Sequence, residues 1–121
     1  MSVANHYKSN LRDILFNLFE VNDIGNTVLS HPRFSTMDED SARDALTGIE
    51  TFAHEVFQKA FVPSDRTAIT LDSDGNVTIP QELIDVFNRF YEDGWHMFEV
   101  PEHLEGFNAP PSLVWSAFEM Q

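Results

Sequence analysis

The sequence predicts a mainly helical domain of about four helices with one small β-hairpin. Three observations carry this. Apolar residues recur at helical spacing in four separate stretches, two short β-rich runs flank the turn "DSDG", and proline and glycine stand where those elements should begin and end. The chain has 121 residues, enough for one domain with a modest core.

The first helix is expected from Asn10 to Asn22. Leu11, Ile14, Leu15, Leu18 and Phe19 make one apolar stripe, Asn10 suits the cap, and Asp13 suits the positive N-terminal end. A segment with Gly25, Ser30, Pro32 and Ser35 breaks the period and reads as a loop with one short helical turn. The second helix is expected from Met37 to Phe61. Thr36 and Glu39 fit a capping box, Leu46, Ile49, Ala53, Val56, Phe57 and Ala60 line the apolar face, and Pro63 should end it. Gly48 in its middle weakens it by up to about 1 kcal/mol relative to Ala.

"TAITLDSDGNVTIP" reads as a hairpin of Ala68–Leu71 and Asn76–Ile79, which should lie against helices because two strands alone are marginal. A third helix follows from Pro80, at its first position, to Asp93, with Gly94 just past its end. The fourth starts at Pro111. The first helix is expected to pack on the third through Leu15, Leu18 and Phe19. Two segments follow: an extension, 1–35, and a helical region, 36–121, in one compact domain.

Composition narrows the function. Twenty acids against seven bases give a net charge of −13, a field that repels nucleic acid and anionic membranes. The acids are spread among apolar residues, which suits solubility better than a DNA mimic. The chain has no Cys, which excludes disulfides and thiolate metal sites and favours a cytoplasmic location. No run of about 18 apolar residues occurs, and "MSVANHYKSN" lacks the apolar region of a signal peptide.

No catalytic, cofactor-binding or metal-ligating residue is assigned. "DSDGN", Asp72 to Asn76, is a turn and not a calcium loop, since Val77 and Leu83 stand where that loop needs Gly and Glu. His54 and Glu55 lack the second His of a zinc helix, because position 58 is Gln. No two of His6, His31, His54, His96 and His103 share an H-x-x-x-H spacing; His96 and His103 flank the loop and could meet there, but read better as surface histidines. With so many acids, no carboxylate pair can be singled out for acid–base work. Trp95, Phe98, Phe107, Trp115 and Phe118 crowd the C-terminal end. Either they close the core, or part of them forms a patch that docks on something else.

The stretch "EDGWHMFEVPEHLEGF" after the hairpin and helix is similar to the N-terminal region of acyl-CoA dehydrogenases. That family carries a Pro-Glu-Glu-(aromatic)-Gly-Gly run between two helices, and Gly94, Val100, Pro101, Glu102, Gly106 and Glu119 match it in order. "HYKSNLRDILFNLFEV", Ser64–Arg66 and the hairpin resemble the N-terminal extension of the large-chain subclass. The sequence departs from the family at Glu105, where a glycine of the pair would stand, and at Asn108, where a further glycine is common; a reshaped turn is expected there.

The resemblance implies the N-terminal helical portion of an FAD-dependent enzyme that desaturates acyl-CoA. In the whole enzyme a Glu removes the α-proton, the flavin takes the β-hydride, and electrons pass to an electron-transfer flavoprotein. Base and flavin site belong to later parts of such enzymes, so Glu119 is not assigned as the base and this chain alone should be inactive. Its expected partners are the remainder of the dehydrogenase or a second copy of itself, in a homo-oligomer. The alternative is a stand-alone acidic, non-enzymatic interaction or oligomerisation module derived from that family.

Overall fold

A computed structural model describes residues 7–121; His6 and the signal-peptide expectation for the first residues lie outside the described residues. Helix α1 (Leu11–Leu15) continues as one π-helical stretch, Phe16–Val21. The short α2 (Ile24–Thr27) and a 3₁₀ turn, Pro32–Phe34, lead to α3 (Glu39–Phe52). A second π-helical stretch, Ala53–Phe57, joins α3 to α4 (Gln58–Arg66). Strands β1 (Thr70–Leu71) and β2 (Val77–Thr78) form the hairpin, with Thr70 opposite Thr78 and Leu71 opposite Val77. Then come α5 (Gln81–Glu92), two 3₁₀ turns and α6 (Pro111–Met120). The mainly helical class with one hairpin is therefore observed. No helix among the described residues is long and apolar enough to cross a membrane.

The expected caps hold at α1 and differ at α3. Asn10 Oδ1 accepts from the Asp13 amide at 3.1 Å. At α3 the cap is Asp38 and not Thr36: Asp38 is extended, and its Oδ1 accepts from the Ser41 amide at 2.7 Å. Met37 is buried and its amide donates to Phe34 O at 3.2 Å, which holds it in the preceding turn and delays the helix to Glu39. An anionic cap also suits the helix N-terminus better than a hydroxyl.

Pro63 does not end the second helix, which runs to Arg66. The proline removes one donor, and the Thr67 amide still donates to Pro63 O at 2.9 Å, so the last turn closes beyond it. Pro80 precedes α5 as its cap residue, one position earlier than expected. Gly94 takes φ 79° just past that helix, as its place at the end predicts.

The core joins both sides of residue 35. Ile14, Leu18, Phe19, Ile24 and Leu29 meet Ala42, Leu46 and Ile49 of α3 and Leu113, Val114, Ala117 and Met120 of α6. The first helix therefore packs chiefly on α3, not on the helix from Pro80 to Asp93. Arg43 explains part of that choice, because its guanidinium lies 4.1 Å from the Phe19 ring centroid while it pairs with Glu39 at 2.7 Å. Ser9 Oγ donates to Glu50 Oε1 at 2.7 Å on the same helix. Tyr7 OH donates to Met120 O at 2.7 Å and ties the start of the described chain to the end of α6.

Helix α5 packs on α4, and a second, aromatic cluster joins α5 to the end of α3 and the π-helical stretch after it. Phe52 sits 5.0 Å from Phe57, 6.1 Å from Phe90 and 6.3 Å from Trp95, all edge-on. The hairpin does not lie on the helices: Ile69, Leu71 and Val77 are exposed, Leu71 by 70%. It is held locally, by Asp72 Oδ1 accepting from the amides of Asp74 and Asn76 at 2.9 Å each, and at its foot by buried Pro80.

Candidate functional site

The connection from α5 to α6 builds the rim of an apolar recess. Gly94 turns the chain, and the 3₁₀ turn Trp95–Met97 sends Phe98 into the core. Pro101 opens a second turn, Glu102–Leu104. Backbone bonds then close the loop on itself: the amides of Phe107, Asn108 and Ala109 donate to the carbonyls of Met97, Val100 and Phe98 at 3.0, 2.9 and 2.9 Å. Gly106 makes this closure possible, since a Cβ there would stand 1.9 Å from Val100 O.

Glu105 and Asn108, where the sequence departs from glycine, both adopt left-handed backbone, with φ 64° and 53°. The departure is accommodated by holding these residues in the region glycine favours. Asn108 gains a compensating bond, its Nδ2 donating to Arg33 O at 2.6 Å. Glu105 has no such bond among those described.

Between this loop and the start of α3 lies a cavity of about 620 Å³. Met37, Ala45, Trp95, Phe98 and Phe107 supply its apolar wall, and Ser41, Asp44, Asp93 and Glu102 its polar groups. Trp95 reaches it because α3 has a glycine where the indole lies: a Cβ on Gly48 would stand 3.0 Å from the ring. Gly48 thus makes room for Trp95, a role that helix propensity does not disclose. The Trp95 Nε1–H is buried and makes no hydrogen bond within the described residues.

The aromatics of the C-terminal end divide between the two roles open to them. Trp95 packs against the core and Phe98 belongs to it, whereas Phe107, Trp115 and Phe118 are exposed, Trp115 by 71%. Trp115 and Phe118 stack edge-on at 5.7 Å and line a smaller recess of about 290 Å³ with Arg33, Phe34 and Val114. His96 and His103 are exposed, and His96 rests 4.7 Å from the Tyr91 ring. Glu119 is exposed on α6. Among the described residues no cluster of three or more His, Asp and Glu could hold a metal ion.

The FAD implied for a whole dehydrogenase finds no matching pyrophosphate site at either recess beside the 94–109 loop. Its pyrophosphate needs convergent amides or bases. The recess at the start of α3 offers carboxylates and no base, and the one lined by Trp115 and Phe118 sets its single base, Arg33, against Glu99.

No protein-family model matches the chain. A broad-specificity linear acyl-CoA dehydrogenase, FadE5 of Mycobacterium tuberculosis, is 36% identical over 115 residues. The match takes in 94% of this chain and 19% of that protein. The resemblance first drawn from the loop residues Gly94 to Gly106 and from the opening segment therefore extends along nearly the whole chain. What the chain is similar to is one part of a large acyl-CoA dehydrogenase.

Proposed function

We propose that the chain serves as the N-terminal helical portion of an FAD-dependent acyl-CoA dehydrogenase, which introduces an α,β double bond into an acyl-CoA in fatty-acid oxidation. The observation that carries this is the similarity to the mycobacterial enzyme, which covers 94% of this chain but only 19% of the relative. The role is structural. The chain completes the substrate-side wall and contributes subunit contacts in an oligomer, and it carries neither the catalytic base nor the flavin site. Segment 1–35 acts as the extension and 36–121 as the family's helical region. Exposed large apolar side chains support an assembly role: Trp115 and Phe118 on α6, Phe61 on α4, and Phe87 and Tyr91 on α5.

Complementation tests it. The mycobacterial relative lacking its own N-terminal region is co-produced with this chain, or with the matching fragment of the relative as the control. Retained flavin colour and acyl-CoA desaturation with both fragments are the expected result. Rescue by the control fragment and none by this chain would reject the assignment and favour a stand-alone interaction module.

A further inference from the structure

The hairpin alternates apolar and polar residues with a period of two. Leu71 stands opposite Val77 and Thr70 opposite Thr78, so the two apolar side chains share one face and the threonines the other. Ile69 and Ile79 extend the apolar face, each two residues along its strand. Such alternation belongs to a sheet with one face packed and one in water. In this chain Ile69, Leu71 and Val77 are 62, 70 and 60% exposed, so the apolar face is uncovered. The element itself is well formed: the Asp72 amide donates to Asn76 O at 3.0 Å, and Gly75 takes φ 84° in the turn. Neither strand carries a charged residue, the usual guard of an edge left in water.

Two physical limits count against a second copy as the cover. Four side chains bury far less than the roughly 1,200–2,000 Å² of a stable free-standing interface. Two chains of net charge −13 also repel each other. Neither limit holds for polypeptide of the same assembly, where the patch is one part of a larger contact. The match to the mycobacterial relative runs through the hairpin, since it takes in 94% of this chain, and about four fifths of that protein lies outside it. We infer that the face of Ile69, Leu71, Val77 and Ile79 is a seam at which the chain docks on the remainder of the dehydrogenase, against an apolar strand or helix face. The inference rests on the function proposed above and names the surface that serves it.

The test uses the complex co-produced from this chain and the mycobacterial relative lacking its N-terminal region. Hydroxyl-radical footprinting compares side chains in that complex with those of the chain alone. Oxidation of Leu71 and Val77 should fall at least about fivefold in the complex, as exposed side chains become buried. The double variant Leu71→Thr with Val77→Thr keeps β-branched side chains suited to a strand. It should leave the urea midpoint of the free chain unchanged, and weaken the complex on dilution about tenfold or more. Thr70→Ala with Thr78→Ala, on the other face, should weaken it less than about twofold. An active complex in which Leu71 and Val77 are oxidised as in the free chain would overturn the inference and leave the dehydrogenase assignment standing. Rescue by the relative's own fragment and none by this chain would overturn both. Sedimentation of the free chain adds a measurement that needs no complex. A dimer that the double threonine variant abolishes would give the face to a second copy and overturn the inference.

Discussion

The carbonyl oxygen of Val100 lies where a side chain on Gly106 would begin, 1.9 Å from the position of its Cβ. No rotamer change relieves such a contact, because the obstacle is backbone. Gly106→Ala should therefore open the loop closed by the amides of Phe107, Asn108 and Ala109. A loss of at least about 2 kcal/mol is expected, measured by urea unfolding, since overpacking against fixed atoms costs this much or more.

Glu105 is the opposite case. Its backbone is left-handed, with φ 64°, and no bond of its side chain compensates within the described residues. For a non-glycine residue that conformation costs roughly 1–2 kcal/mol, part of which glycine returns as chain entropy. Glu105→Gly should raise stability by about 0.5–1 kcal/mol. The same denaturant midpoints, compared with the unsubstituted chain, check this.

Arg43 covers Phe19 and pairs with Glu39 four residues earlier on α3. The ring contact should matter more than the surface ion pair, which is worth only a few tenths of a kcal/mol. Arg43→Ala should cost about 1 kcal/mol, and Arg43→Met about half of that because the aliphatic cover is kept. High salt should leave most of the difference in place. A difference abolished by salt would assign it to the ion pair.

Asp38 and Asp72 give the fold a dependence on acid. The Ser41 side chain and then its amide hold Asp38 below the ordinary 3.8, and the Asn76 side chain and then its amide do so for Asp72. A carboxyl depressed in the folded state stabilises above its unfolded value, and that contribution is lost as pH falls through the lower, folded value. Asp38→Ala should therefore lower Tm at neutral pH, and its gap to the unsubstituted chain should narrow below pH 3.8. Thermal melts followed by circular dichroism across that range check it. A gap unchanged with pH would mean that Asp38 acts by packing and not by its charge.

The sequence by itself determined the elements with short-range causes. Leu11 to Phe19 and Leu46 to Ala60 form helices because their apolar spacing is helical, Asn10 caps because the amide donor it accepts from lies three residues away, and Gly94 stops α5 because a glycine adopts φ 79° without a Cβ penalty. The resemblance at Pro101, Glu102 and Gly106 was legible for the same reason, as an ordered local run. Tertiary structure decided the rest. Asp38 replaced Thr36 as cap because Met37 is buried in the preceding turn. The first helix chose α3 over α5 because Arg43 and Glu50 receive Phe19 and Ser9 there. Gly48 proved to be the seat of Trp95, and the cavity beside it combines residues from the start of α3 with others more than 40 positions later in the chain. Periodicity reports which face of a helix is apolar, but which neighbour covers that face depends on how helices distant in sequence cross, and no local pattern records that crossing.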